Sequence, residues 1–535
     1  MVAFLKAVGL GLLISPTWAM DYKEPYRPQF HFSPAKGWTN DPSGLVYHNG
    51  TYHLYFQHNP AGIEWGNLSW GHATSHDLTH WKEEPVALLA RGFPQNVTEM
   101  FFTGSAVVDI HNTSGFGANG KIPLVAVYTS FYDVTQTLPS GKKVKANQQS
   151  QSIAYSIDDG MTWTTYDAGN PVLQHPPTPY QEQWENFRDP FVFWHEQTHK
   201  WIMVTTVAEL HKLVLWTSDN LKDWKVASEF GPFNAVGGVW ECPNLFPLAL
   251  DNDASNIKWV LVLGLNPGGP PGTVGSGTQY FIGDFDGTTF VADNESVYPG
   301  NKTANWLDWG PDYYAAATYN GLSDTNRTVM AWMSNWQYNA KIPAYPWHGG
   351  MATPRHMSLK TIDQKPTLIQ QPYKNLESIE SHTRNSVWKS FAEGKKDLGS
   401  VGKTLDIDLE FSPYDAAEFG IIVQATSDWK QQTRIGYNVT SQQIFVDRTK
   451  SGDVSFDETF ARVYHAPLVP SSEGIVNLRI LVDWSSVEVF GGEGESTLTA
   501  QIFPSRNATF AQLFSHGGQT GNVKIGIRKV SSTWN

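Results

Sequence analysis

The sequence predicts an all-β protein in two parts, a β-propeller followed by a C-terminal β-sandwich. Three observations support this: strands in which apolar and polar residues alternate, an irregular repeat over the first two thirds of the chain, and the loss of that repeat after a cluster of prolines. No comparably long 3.6-residue pattern indicates helices. The 535 residues include 46 Gly and 32 Pro, which favour many turns, and aromatic residues at 13% exclude intrinsic disorder.

The N-terminal residues have the features of a secretory signal peptide. Residues 1–19 contain one charged residue, Lys6, then an apolar stretch and a small residue, Ala19, after which we expect cleavage. The apolar stretch is shorter than the ~20 residues that a membrane span needs. We therefore expect a secreted protein without a membrane association. The net charge of -13 argues against a nucleic-acid partner.

Nine Asn-x-Ser/Thr sequons fit this secretory route and are predicted glycosylation sites. They are Asn49, Asn67, Asn96, Asn112, Asn294, Asn301, Asn326, Asn438 and Asn507. Cys242 is the single cysteine, so no intrachain disulfide can form. Stability must then come from buried area, which a chain of this length supplies.

An irregular repeat over the first two thirds of the chain predicts the propeller. One element is a turn followed by an aromatic residue, found at residues 75–81, 156–163, 218–224 and 285–290. Its copies are spaced roughly 60 to 80 residues apart, and repeats of that size with several strands each are typical of propeller blades.

A second repeated element places a carboxylic acid near a proline at the start of an apolar strand. Its copies contain Asp41, Asp189 and Glu241. The innermost strand of each propeller blade faces the central channel, so acids at the starts of three such strands would meet at one mouth of that channel.

Three carboxylates in an aromatic-lined pocket suit acid/base chemistry on a neutral sugar. Glycoside cleavage needs two carboxyl groups, and a third can stabilise developing positive charge. The simpler interpretation is that each Asp-Pro pair only starts a turn. Three copies at equivalent repeat positions favour the catalytic interpretation.

The repeat ends where five prolines cluster between Pro343 and Pro372. After this point plain alternation takes over, for example at residues 405–411 and 476–482, which predicts strands with one buried and one wet face. We place a domain boundary near residue 375. The propeller then spans residues 20–375 and the sandwich residues 376–535.

Three motifs resemble, in order and spacing, those of glycoside hydrolase family 32. Residues 38–44 (WTNDPSG) resemble the family signature W-M-N-D-P-N-G, residues 187–190 (FRDP) its R-D-P motif, and residues 240–243 (WECP) its E-C-P motif. Residues 102–105 are similar to its F-S-G-S element and residues 486–492 to a strand of its C-terminal sandwich. The resemblance covers essentially the whole mature chain and is strongest to the secreted fungal exo-inulinases of the family.

This resemblance implies a five-bladed propeller and a retaining double-displacement reaction on a β-fructan or sucrose. It implies that Asp41 is the nucleophile, Glu241 the general acid and base, and Asp189 the transition-state stabiliser. The residues that it implies for the sugar pocket are Asn40, Gln57, Trp65, Thr103, Arg188 and Trp336. No cofactor or metal ion is implied.

Three residues depart from the family motifs: Thr39 replaces Met, Ser43 replaces Asn, and Thr103 replaces Ser. We expect all three side chains near the nucleophile, where they could change its hydrogen bonds. The substitutions are either neutral or linked to altered specificity or to transfer of fructose onto sugars instead of water.

The sequence hypothesis is therefore a secreted β-fructofuranosidase that releases terminal fructose from inulin-type fructans, with levan and sucrose as further substrates. One alternative is a fructosyltransferase that uses sucrose as donor. Another is an inactive carbohydrate-binding protein on the same fold, although all three acids are retained. A furanosidase acting on arabinan is more remote. The sequence leaves open the oligomeric state and the role of the sandwich.

Overall fold

The computed structural model describes residues 22–300 and 303–534. The predicted signal peptide and the sequon at Asn301 lie outside these residues. Regular structure is almost entirely strand, so the all-β prediction is confirmed. Within the described ranges, no helix is long and apolar enough to cross a membrane.

Residues 37–372, where the structure describes them, form five mainly antiparallel sheets in chain order. The first contains β1 (Gly37–His48), β2 (Thr51–Asn59), β3 (Ser69–Ser75) and β4 (Lys82–Leu88). The second contains β5 (Glu99–Val108), β6 (Leu124–Tyr132), β9 (Gln148–Ser156) and β10 (Thr164–Thr165), with a separate hairpin of β7 (Gln136–Thr137) and β8 (Lys143–Val144). The third contains β11 (Phe187–His195), β12 (Lys200–Val207), β13 (Lys212–Ser218) and β14 (Trp224–Phe230).

The fourth sheet contains β15 (Val239–Ala249), β16 (Ile257–Asn266), β17 (Gly277–Phe285), β18 (Phe290–Ala292) and β19 (Asn305–Trp306). The fifth contains β20 (Tyr314–Thr318), β21 (Thr328–Trp332), β23 (Arg355–Ile362) and β24 (Lys365–Pro372), while β22 (Trp347–His348) pairs in parallel with β1. Short 3-10 turns occur at Gln181–Asn186, Ala208–Leu210, Asn294–Ser296, Asp324–Asn326, Asn339–Lys341 and Lys374–Ile379.

The first strands of the five sheets contact one another in a closed cycle, β1 to β5, β11, β15, β20 and back to β1. Each of these strands has a register shift near its start: at Thr39/Pro42, Phe101/Gly104, Arg188/Phe191, Glu241/Asn244 and Tyr314/Ala317. A β-bulge bends the strand and re-aims its side chains. The same irregularity therefore redirects side chains at one end of all five inner strands.

The remaining strands form two six-stranded sheets. In chain order they are β25 (Glu380–Phe391), β26 (Gly394–Ser400), β27 (Leu405–Ser412), β28 (Glu418–Ala425), β29 (Gln432–Asn438), β30 (Gln443–Lys450), β31 (Val463–Pro467), β32 (Val476–Asp483), β33 (Ser486–Gly491), β34 (Ser496–Gln501), β35 (Phe510–His516) and β36 (Thr520–Val530). The sheet orders are β25-β36-β27-β32-β33-β34 and β26-β35-β28-β29-β30-β31.

The alternation predicted for residues 405–411 and 476–482 buries one face of β27 and of β32 in the core between these sheets. The other face is not uniformly wet. Asp406 is fully buried because Arg479 and Arg528 cover it, with nitrogen-to-oxygen distances of 2.6 and 3.0 Å.

A buried charge network joins the two parts of the chain. Arg355 on β23 donates to Asp308 at 3.0 Å and to Glu488 on β33 at 2.8 Å. The His31 ring bonds to Asp483 and to Glu488, each at 2.8 Å. A ring that donates from both nitrogens carries both protons and is a cation. These residues are buried, so each charge depends on its partner.

We expect this network to make stability sensitive to alkaline pH. Its two carboxylates raise the pKa of His31 to about 9 from 6.5, against the opposing effect of burial. Because the folded-state pKa is the higher one, the stabilisation of about 3 kcal/mol is complete below pH 6.5 and is lost as pH rises through 9. The measurement is the free energy of urea unfolding between pH 6 and 10.

The matched control is His31→Gln, which cannot titrate. We expect this variant to be less stable at pH 6 and to show a shallower loss of stability above pH 7 than the wild type. An equal slope in both proteins would contradict the assignment of this pH dependence to His31.

Candidate active site

A cavity of about 420 Å³ lies at the bulged ends of the inner strands. Its lining includes all nine residues singled out for catalysis or sugar binding from the sequence: Asn40, Asp41, Gln57, Trp65, Thr103, Arg188, Asp189, Glu241 and Trp336. Asp41 is on β1, Asp189 on β11 and Glu241 on β15, near the start of each strand. The three acids therefore converge although up to 200 residues of chain separate them.

Asp41 is buried and held by hydrogen bonds on both carboxylate oxygens. Asn40 donates to Oδ1 at 3.0 Å, and Thr103 donates to Oδ2 at 2.7 Å. Asn40 is itself fixed, because the Trp38 indole donates to its amide oxygen at 2.7 Å. Burial raises the pKa of Asp41, with a smaller contribution from repulsion by Glu241, and these hydrogen bonds oppose the rise. The carboxylate is oriented before substrate arrives.

Asp189 has a left-handed backbone, with φ of 59°. This conformation is uncommon for a residue with a side chain, and such strain concentrates at functional sites. Thr129 accepts from the Asp189 N–H at 2.9 Å, and the Cys242 N–H donates to Asp189 Oδ2 at 3.0 Å. Burial, then repulsion from Glu241 and Asp41, raises the pKa of Asp189 in spite of the neighbouring Arg188.

Glu241 is the most exposed of the three acids, with 18% of its side chain accessible. Arg188 donates to its Oε1 from Nε at 3.1 Å and from Nη2 at 3.0 Å. The Tyr314 hydroxyl donates to its Oε2. The carboxyl group is thus held from both sides while it faces the cavity.

Other predicted pocket residues form the cavity wall. Gln57 donates from its amide to the Phe101 carbonyl at 3.0 Å, which fixes the amide and leaves its oxygen available. Trp65 is 47% exposed and lies at the rim. Trp336 packs on Trp332 with ring centroids 4.9 Å apart. This wall offers aromatic faces and amide groups, a combination that suits a sugar.

Several lining residues were not predicted from the sequence: Leu68, Phe102, Phe131, Gln149, Asn186 and Asn266. Tyr314 and Cys242 also contact the acids, Cys242 with its sulfur 3.5 Å from Asp41 Oδ2 and 3.7 Å from Asp189 Oδ2. Tyr314 begins the fifth inner strand but stands in no acid-proline motif, so the strand-start pattern did not single it out. Phe102 lies in the element at residues 102–105 that resembles F-S-G-S, and the remaining lining residues carry no motif or periodic signal.

Of the three residues that depart from the family motifs, Thr103 bonds to Asp41, whereas the side chains of Thr39 and Ser43 make no hydrogen bond to it. Thr39 donates instead to the Gln57 carbonyl at 3.0 Å. The Ser43 hydroxyl is buried and has no hydrogen-bond partner among the described residues. The bulge between Thr39 and Pro42 interrupts the alternation that would place Thr39 and Asp41 on one face.

Comparison with known proteins identifies the family. Residues 31–372 match the description "Glycosyl hydrolases family 32 N-terminal domain", and residues 375–529 match "Glycosyl hydrolases family 32 C terminal". The chain belongs to glycoside hydrolase family 32. It is an all-β enzyme with the β-propeller and β-sandwich fold of that family, as the sequence predicted.

Individual members of family 32 are similar over the whole chain. The extracellular exo-inulinase of Aspergillus niger is 63% identical over 100% of both chains. The levanase of Bacillus subtilis is 41% identical over 96% of this chain and 72% of its own. The crystal structure of the Aspergillus awamori exo-inulinase superposes with a TM-score of 0.94 at 63% identity, covering 96% of this chain and 100% of that one. The fungal exo-inulinases among these relatives are extracellular enzymes, which confirms the prediction of secretion.

Proposed function

We propose that this protein is a secreted, retaining β-fructofuranosidase that releases terminal fructose from inulin-type fructans and also acts on levan and sucrose. The observation that carries the proposal is the convergence of Asp41, Asp189 and Glu241 on one cavity of about 420 Å³. Similarity to exo-inulinases, to levanase and to the invertase of Saccharomyces cerevisiae supports the choice of substrates.

In the first step, Asp41 attacks the anomeric C2 of the terminal fructosyl unit. Glu241 gives a proton to the glycosidic oxygen, which leaves as the hydroxyl of the shortened chain. The product is a fructosyl ester on Asp41 with inverted configuration. Hydrogen bonds from Asn40 and Thr103 keep the attacking carboxylate aligned.

In the second step, Glu241 accepts a proton from a water molecule that attacks C2 and displaces Asp41. The second inversion restores the original configuration, so the reaction proceeds with net retention. Asp189 accepts hydrogen bonds from ring hydroxyls and stabilises the positive charge that develops at C2 in both steps.

The charges in the cavity favour a divided protonation state. Three carboxyl groups face one guanidinium, that of Arg188, in a buried setting. Keeping one proton in the cluster reduces this excess negative charge. Burial raises the pKa of Asp41, so we expect the acidic limb of the pH-rate profile above the usual range of an aspartate.

We propose that the five sheets of residues 37–372 are the five blades of the propeller. The closed cycle of contacts among the inner strands β1, β5, β11, β15 and β20 supports this count. We also propose a catalytic domain from residue 20 to 375 and a sandwich domain from 376 to 535. The change from four- and five-stranded sheets to six-stranded sheets supports the boundary.

The test of the function is a time course of products from inulin. We expect free fructose as the sole small product at every time, because an exo-acting enzyme removes one terminal unit per event. Mixed oligomers at early times would contradict exo action. Oligomers that form only at high sucrose would favour a transferase, and no product from any fructan would favour a binding protein. Hydrolysis of an arabinofuranoside alone would favour the arabinan alternative.

A further inference from the structure

A groove of about 550 Å³ lies toward the ends of the inner strands opposite to the active site. Val108 at the end of β5 and His195 at the end of β11 are among its lining residues. Asp189 is near the start of β11, six residues before His195, and an extended strand of that length spans roughly 20 Å. The groove is therefore distinct from the catalytic cavity.

Asn320 cross-links two inner strands beside the groove. Its side-chain amide donates to the carbonyls of Ala106 at 2.9 Å and Val192 at 3.0 Å, and so bridges two inner strands. Asn320 also lines the groove.

The wall of the groove combines aromatic rings, exposed aliphatic side chains and charged groups. Trp194 is its half-buried aromatic residue, and the other aromatic rings, of Phe191, Phe193, Trp201, Phe246, Trp259 and Phe285, are buried behind it. Ile110 and Ile257 are 66% and 41% exposed. A sugar presents apolar C–H faces that stack on such surfaces and hydroxyls that bond to charged groups at their edges.

Arg327 is a buried charged group of this groove, with an exposed fraction of 6%. Its Nη2 donates to Asp324, and its guanidinium lies 5.2 Å from the centre of the Phe246 ring. Its Nε–H has no acceptor among the described residues. A buried charged donor of this kind needs an oxygen acceptor, and a hydroxyl group of a ligand can supply one.

The sequon at Asn326 stands at the rim of the same groove. Asn326 is exposed, and its neighbours Asp324 and Arg327 both line the groove. Thr328, which completes the sequon, starts β21 and fixes the turn by donating to the Asn326 carbonyl at 3.0 Å. A glycan attached at Asn326 therefore begins within two residues of both rim groups.

We propose that the N-linked glycan of Asn326 lies in this groove. Its sugar rings cover the apolar wall around Trp194 and Ile110, and one of its hydroxyl or acetamido oxygens accepts from Arg327. The glycan thereby removes exposed apolar surface from water at the end of the inner strands. This burial of apolar surface stabilises the folded protein.

The experiment uses the full-length glycosylated protein from a eukaryotic host. The native protein is digested with an endoglycosidase that cuts the glycan core, and release at each sequon is followed by glycopeptide mass spectrometry. We expect release at Asn326 to be at least about tenfold slower than at Asn507, an exposed sequon of the sandwich, because packing protects the glycan. After denaturation the two sites should be released at similar rates.

Trp194→Ala separates packing in the groove from simple crowding at the sequon. This variant should speed release at Asn326 and leave Asn507 unchanged, whereas the matched variant Trp429→Ala in the sandwich should alter neither. If Trp194→Ala does not fold, Ile110→Ser, a substitution at an exposed residue of the rim, is used in its place. Equal release rates at the two sites, no effect of the groove variants, or an unglycosylated Asn326 would overturn the proposal.

Discussion

Asp41→Asn is expected to lower kcat by at least about 10⁴-fold, the loss typical of removing a nucleophile from a catalytic unit. The amide is nearly isosteric with the carboxylate but cannot form the fructosyl ester. Substrate binding should change much less, since the other wall residues are untouched. The measurement is the steady-state rate on sucrose and on inulin.

The folded state of Asp41→Asn should be at least as stable as the wild type. Burial raises the pKa of Asp41, which means that the ionised carboxylate is held in an unfavourable setting, with Glu241 adding repulsion. A neutral amide removes both penalties. A Tm equal to or above that of the wild type, together with the loss of kcat, distinguishes a catalytic role from a structural one.

The control for this variant is Asp219→Asn, the same chemical change at an exposed aspartate that pairs with Lys200. It should keep the full kcat. A value of kcat for Asp41→Asn within about tenfold of the wild type would remove Asp41 from the role of nucleophile.

Glu241→Gln is expected to lower kcat on sucrose by about 10²- to 10⁴-fold, the usual contribution of a general acid or base. The glutamine keeps acceptor and donor atoms near Arg188 and Tyr314, so the cavity should keep its shape. A fructoside with a good leaving group needs no proton in the first step. The decrease in kcat of Glu241→Gln on such a substrate should therefore be smaller than on sucrose. Added azide should raise the turnover of that substrate, because an anionic nucleophile needs no general base.

A surface control completes this test. Glu209→Gln, at an exposed glutamate, should behave as the wild type. If azide fails to accelerate turnover and the loss is the same for good and poor leaving groups, Glu241 does not transfer the proton.

The sequence predicted the acids of the site better than their surroundings. Asp41, Asp189 and Glu241 stand in motifs at equivalent strand starts, so a repeat and three short patterns were enough to bring them together. Tyr314 lies at the same place on β20 but in no comparable motif, and its contact with Glu241 depends on how the fourth and fifth sheets pack. Pairings between sheets of this kind are not encoded in local periodicity.

A bulge and a long-range charge pairing explain two other differences between the sequence prediction and the structure. Strict alternation places Thr39 and Asp41 on one face of β1, but the bulge between Thr39 and Pro42 separates them. Alternation also predicts a wet position for Asp406, which is buried by arginines from neighbouring strands. Such long-range charge pairing is set by strand order, and strand order does not follow from alternation alone.

The central claim is that fructosyl transfer passes through an ester on Asp41 within the cavity shared with Glu241 and Asp189. The most direct measurement uses Glu241→Gln with a fructoside that carries a good leaving group, followed by rapid acid quenching, digestion and peptide mass spectrometry. We predict the added mass of one anhydrofructose unit on the peptide that contains Asp41, and no such mass in the double variant with Asp41→Asn. An adduct on another residue, or complete turnover of the substrate without any adduct and with inversion at C2, would contradict the account.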